Sequence, residues 1–205
     1  FKYFVIYFYK LILGFKAKFI SITDKETLSI KNYFNRSKIK FIPNPIPFNL
    51  SKSEDEEIKK TFVFFGRIHP IKNLELMIDS FKQSKLDETW KLHIYGIDDD
   101  EKYLMKLKKM IKDHKNIEIK KPIFGNEKQK VLNESWLNVL LSKSEVLSLS
   151  ILESSINGLP SLANKNIEIK QIEDSIITSE TSILDIKEKL ELVSNWTQEE
   201  RLQRG

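Results

Sequence analysis

From residue 61 onward, short apolar runs alternate with segments whose apolar positions recur every three or four residues, an alternation that predicts βα units around a parallel sheet. "TFVFFG", "KLHIYG", "NIEIK", "LNVLLS", "SLAN" and "SIIT" read as the strands. Between them, "NLELMIDSFKQS" sets Leu74, Met77, Ile78 and Phe81 at i, i+3, i+4 and i+7 behind Asn73 as its cap. "DEKYLMKLKKMIKD" turns Leu104, Leu107 and Ile111 inward, and "NEKQKVLNESW" and "LSILESSINGLP" follow, the second ending at Gly158. "TSILDIKEKLELVS" and "TQEERLQRG", with Thr197 as cap, are the last helices. Nearer the start, "AKFISIT" and "IKFIPN" read as strands around the helix "DKETLSIKNYF", capped by Asp24.

Pro43, Pro45 and Pro47, followed by a polar acidic run, exclude "IPNPIPFNLSKSEDEE" from a central strand or a helix interior and make it a linker. The expectation is a partial α/β domain with its linker over 1–50, then a Rossmann-like domain over 51–205, a parallel sheet with helices on both faces. A start at Phe1 and a finish inside the helical "RLQRG" lead us to expect a fragment. The opening "FKYFVIYFYKLILGF" resembles a signal-peptide core, but Lys2 and Lys10 interrupt it, no small-residue cleavage site follows, and it is too short to span a bilayer. It reads as a buried or surface-docked helix whose aromatic and basic mix also suits an interfacial membrane helix.

Composition narrows the classes. A chain without cysteine has neither disulfides nor a thiolate metal site, which makes a reducing, cytoplasmic compartment the default. Its net charge of +5 suits anionic ligands, an anionic membrane surface or nucleic acid. Nucleic acid is the weakest of these, because the aromatics fall in strand and helix cores rather than interleaved with Lys and Arg.

Gly66 and Gly96 each close an apolar strand at its carboxyl end, where open α/β sheets bind ligands. In "FFGRIHPIKN", Arg67 follows the first of them and Lys72 precedes the Asn73 cap, so two cations and a helix amino terminus can converge on a diphosphate. The bland reading is two solvated cations on a loop, with His69 a loop residue before Pro70. "SEVLSLSILESSINGLP" sets Glu145 just past a strand and Glu153 in the first turns of the next helix, on the same crevice. Carboxylates there accept hydrogen bonds from paired sugar hydroxyls, and Ser148, Leu149 and Ser150 add backbone and hydroxyl donors where the helix opens. Taken singly, Glu153 only favours the helix dipole and Glu145 is solvated. Asp98, Asp99 and Asp100 read as helix-opening acids rather than as metal ligands.

"GRIHPIKN", "LHIYG" and "LLSKSEVLSLSILESSINGLP", in that order, resemble the motif series of the group 1 glycosyltransferases, family 4, and "KIKFIPNPI" resembles the strand and linker between their two domains. The resemblance implies the C-terminal, donor-binding half of a GT-B fold. It also implies sugar transfer from a UDP- or GDP-sugar to a glycan or lipid-linked acceptor, usually with retention and without an obligatory metal or other cofactor. Arg67 and Lys72 would then offset charge on the leaving diphosphate, Glu145 would meet the donor sugar and Glu153 the ribose. Gly66 would admit the phosphates, and Pro122 and Ile123 in "KPIFG" would lie near the base. The implied setting is bacterial surface polysaccharide synthesis at the inner membrane face, with peripheral membrane contact. The family usually has glycine where Val146 and Ser148 stand, and a glycine-rich stretch where "SLANKNIEIK" follows Pro160; Pro122 also has no amide to give a base. These departures keep open a non-catalytic nucleotide-binding subunit, beside a nucleotide sugar epimerase on the same architecture. A fragment of this kind is expected to bind donor without catalysing alone.

Overall fold

The computed structural model describes residues 2–13, 17–34, 38–42, 57–145, 147–167 and 174–205. The chain divides into two compact units, Phe1–Pro47 and Phe48–Gly205. The proline-rich linker, the boundary expected at residue 50 and Val146 lie outside the described residues.

In the first unit, β1 (Lys18–Ser21) and β2 (Lys38–Phe41) pair in parallel, with α2 (Asp24–Tyr33) between them in sequence. Asp24 is not the cap of α2. Thr23 is, its hydroxyl accepting from the Glu26 amide at 3.1 Å while the Glu26 carboxylate accepts from the Ile22 amide at 2.8 Å. The opening segment forms α1 (Lys2–Leu13), but it is not buried: Phe4, Tyr7, Phe8, Leu11 and Ile12, at helical spacing, form an exposed apolar stripe. Among the described residues, no helix is long and apolar enough to cross a membrane.

The second unit holds six parallel strands, β3 (Thr61–Ile68), β4 (Lys91–Asp98), β5 (Ile117–Lys120), β6 (Leu137–Leu140), β7 (Ser161–Asn164) and β8 (Ile176–Ser179), in the order β5-β4-β3-β6-β7-β8. Strand order reverses between β3 and β6, the topological switch point at which doubly wound sheets open a crevice. Because side chains alternate along a strand, β3 feeds both faces. Phe62, Phe64 and Ile68 join the main core with residues of α3 (Leu74–Gln83), α4 (Glu101–Ile111) and α7 (Ile183–Ser194). Val63 and Phe65 pack on the other side with Tyr95 and with Leu132 of α5 (Gly125–Glu134). Helices therefore cover both faces, as the alternation predicts.

Both strands run two residues past the glycines expected to end them, and Gly66 and Gly96 stand opposite each other in register. The reason for Gly96 is steric. A Cβ on it would lie 2.5 Å from Cγ1 of Ile68 and 2.9 Å from the Gly66 carbonyl oxygen, and the second of these is backbone that cannot step aside. Gly96→Ala is accordingly expected to cost about 1–3 kcal/mol by overpacking, read as a lower urea midpoint at unchanged slope.

α6 (Leu149–Ile156) ends in a Schellman turn, in which Gly158 at φ 64° donates to the Ser155 carbonyl and Leu159 to that of Ser154. In α8 (Gln198–Gln203), Thr197 and Glu200 form a capping box, and buried Arg201 donates through Nη2 to the Ser135 carbonyl at 2.7 Å. Burial lowers that guanidinium's pKa to about 10.

Candidate functional site

A cleft of about 400 Å³ opens at the carboxyl ends of the strands beside the switch point. β3 gives it Phe65, Gly66 and Arg67, β4 gives Tyr95 and Ile97, and the turn after β5 gives Pro122, Ile123 and Phe124. The segment after β6 contributes Glu145, Ser148, Leu149, Ser150 and Glu153. Every site residue expected from the sequence thus lines one cavity, although strands β4 and β5 separate its two halves in the chain. Parallel strands that enter from one side deliver all their carboxyl-end loops to the same rim, so topology brings the residues together.

The cations of this cleft are each matched by a carboxylate. Lys72 Nζ donates to Glu145 Oε1 at 2.5 Å, both side chains being only 14% exposed. Arg67 Nη1 donates to Asp99 Oδ2 at 2.8 Å from a side chain 58% exposed, so this pair is the more screened by solvent. Lys128 of α5 pairs with Glu153 of α6 and lies 5.1 Å from the centroid of the Phe65 ring, which in turn stacks on Tyr95 at 5.2 Å.

The local fold explains these positions. His69 opens the 3-10 turn Pro70–Lys72, its Nδ1 accepting from the Ile71 amide at 3.2 Å, and so places Lys72. Asn73 does not cap α3 through its side chain; it takes the left-handed conformation at φ 55°. The first amide of α3, that of Leu74, instead donates to the Tyr103 hydroxyl at 2.9 Å, which itself donates to Glu75. Burial, and then the Glu75 carboxylate, push the Tyr103 pKa up, so the phenol stays a donor. The Leu74 amide is therefore taken up by Tyr103 rather than left for an anion. It is the amino end of α6 that lines the cleft, where Leu149 and Ser150 have no preceding intrahelical acceptor for their amides. Nor is the Ser148 hydroxyl turned wholly to the cleft, since it accepts from the Ile151 amide at 3.3 Å as the cap. Ser150 Oγ donates at 3.3 Å to buried Asn138.

Sequence reasoning missed Lys128, Asp99 and the aromatic and apolar lining of Phe65, Tyr95, Ile97 and Phe124. Lys128 sits in a helix rich in solvated charge and carries no local mark. The acidic run after β4 divides its labour: Asp100 caps α4 by accepting from the Tyr103 amide at 3.0 Å, and Asp99 holds Arg67.

The family described as Glycosyl transferases group 1 matches residues 46–194, well over half of the chain. The chain belongs to that family. No curated protein matches the sequence. Among solved structures, this group 1 glycosyltransferase chain is similar to the pneumococcal O-GlcNAc transferase GtfA, crystallised with UDP and GlcNAc, at 19% identity and a TM-score of 0.75 over 97% of this chain and 42% of GtfA. It is similar to S. aureus TarM, crystallised with UDP, at 24% identity and a TM-score of 0.68 over 90% of this chain and 42% of TarM. Anabaena HepE, crystallised with UDP and glucose, gives 14% identity and a TM-score of 0.74 over 91% of this chain and 55% of HepE. These likenesses establish a shared GT-B architecture. The chain spans about two fifths of the length of GtfA and TarM.

Proposed function

We propose that the chain is the donor-binding half of a retaining family 4 glycosyltransferase. It takes a UDP- or GDP-sugar and serves transfer to a glycan or lipid-linked acceptor in bacterial surface polysaccharide synthesis, at the cytoplasmic face of the membrane. The observation that carries the reading is the convergence of Arg67, Lys72, Glu145 and Glu153 on one cleft at the switch point. That nucleotide-bearing structures share the fold supports a nucleotide sugar as the ligand.

In this reading the diphosphate lies against Arg67, Lys72 and the opening amides of α6. Lys72 has three donors and can bind a phosphate oxygen without releasing Glu145. Negative charge on the diphosphate grows as the glycosidic bond breaks, so donors already held in place stabilise the transition state more than the ground state. Glu145, oriented by Lys72, faces the donor sugar and supports positive charge at its anomeric carbon. Glu153 accepts from the ribose hydroxyls, while Pro122, Ile123 and Phe124 form the apolar floor for the base.

Calorimetric titration of the chain with UDP and GDP tests the reading. Arg67→Ala and Lys72→Ala are each expected to weaken binding about tenfold to a hundredfold, the range of a charge-assisted hydrogen bond. The Arg67 effect should shrink more in 0.5 M salt, because that side chain is the more exposed. Absence of binding to either nucleotide would overturn the proposal. Binding without turnover, once an amino-terminal half is present, would favour a non-catalytic subunit.

A further inference from the structure

Lys128 has no role in the proposed chemistry, yet it is built into the cleft. It closes the first turn of α5, a helix whose other lysine, Lys130, points to solvent. Lys128 instead turns inward to 20% exposure, lays its ammonium over Phe65, and bonds Oε2 of Glu153 across the gap between α5 and α6. Phe65 is fixed in turn by its stack on Tyr95, at an interplanar angle of 14°. Among the described residues, no other hydrogen bond engages the Glu153 carboxylate, so Oε1 remains available to a ligand while Oε2 is clamped.

We propose that Lys128 is a positioning residue for ribose recognition, holding Glu153 oriented so that its free oxygen accepts from the vicinal hydroxyls of a nucleotide. The inference rests on the reading of the cleft as a nucleotide-sugar site. The physics has two parts. A lysine bonded to one oxygen fixes the direction of the carboxylate, and a carboxylate held in place makes well-aligned charge-assisted hydrogen bonds to hydroxyl donors. An ammonium clamped on one oxygen also removes a rotational choice that an unpaired glutamate would lose on binding, so less entropy is spent when the ligand arrives. Charge balance points the same way: with Lys128 present each carboxylate of the cleft is matched, and none is left to repel a diphosphate.

The test compares UDP with 2′,3′-dideoxy-UDP by calorimetry on the chain and on Lys128→Met and Lys128→Arg, substituting the two GDP forms if GDP binds more tightly. The wild-type chain is expected to prefer the ribose form. Lys128→Met should reduce that preference about tenfold, as the hydrogen bonds to a held carboxylate are lost, and Lys128→Arg should keep it. An unchanged preference in Lys128→Met, including one in which both ligands weaken equally, would overturn the inference and leave the donor-site reading standing. Binding of neither UDP nor GDP by the wild-type chain would overturn both.

Discussion

Replacing Glu145 by glutamine is expected to reduce sugar transfer about 100- to 1000-fold in a protein that joins this chain to an amino-terminal half, while the Kd for the nucleotide changes far less. The size follows from where the carboxylate sits. It is 14% exposed and bonded at 2.5 Å to a lysine that is equally sheltered, so its field is screened little by water. A charge held beside the donor sugar interacts most with the state in which positive charge has developed at the anomeric carbon, and the substrate itself carries little charge there. Loss of that interaction should lower kcat and kcat/KM together. Glutamine keeps the shape and still accepts from Lys72, so the pocket is preserved and the charge alone is removed. Release of labelled sugar into acceptor, measured beside nucleotide affinity, separates the two effects. Transfer within a factor of about three of wild type would remove Glu145 from the chemistry. A parallel loss of nucleotide affinity would make it a binding residue only.

How much of this was legible in the sequence depends on distance along the chain. The amphipathic run Leu74, Met77, Ile78 and Phe81 is a local pattern, and all four side chains are buried. Arg67 after β3 and Glu145 after β6 could be assigned to one rim because an open parallel sheet leaves few other places for carboxyl-end loops. What could not be read were pairings that depend on the packing of elements against one another. Asp99 meets Arg67 because β3 and β4 are in register, and Lys128 meets Glu153 because α5 and α6 flank the same cleft. The Asn73 cap failed for a related reason: Tyr103, from the next helix, fills the position a capping side chain would take, and Asn73 is free to adopt the left-handed turn. For α1 the sequence reads as a buried or surface-docked helix, but such a local reading is silent on what the apolar face meets, and that face is exposed.

Phe62→Ala is expected to produce the largest loss of stability in the second unit, about 3–5 kcal/mol, read as a fall in the urea midpoint. Phe62 has no exposed surface and stands at the start of β3, the strand between the two halves of the sheet. Its ring lies 4.8 Å from that of Trp90 and meets Phe81 edge-on at 6.1 Å, while Trp90 in turn meets Trp136 edge-on at 5.5 Å. Removing it deletes the transfer free energy of a phenyl ring and leaves a cavity walled by large, interlocked rings that cannot collapse inward without breaking those contacts, which places the cost near the upper part of the range. Phe124→Ala is the control: that side chain is 69% exposed, and its loss should change stability by less than about 0.5 kcal/mol. A bound nucleotide adds RT ln(1 + [L]/Kd) to whichever folded protein binds it. Phe62 belongs to the core at the amino end of β3, whereas Gly66 and Arg67 line the cleft at the other end. Saturating nucleotide is therefore expected to stabilise wild type and Phe62→Ala equally. A smaller increment in the variant would mean that packing beneath β3 holds Arg67 in place, making the core a determinant of donor affinity.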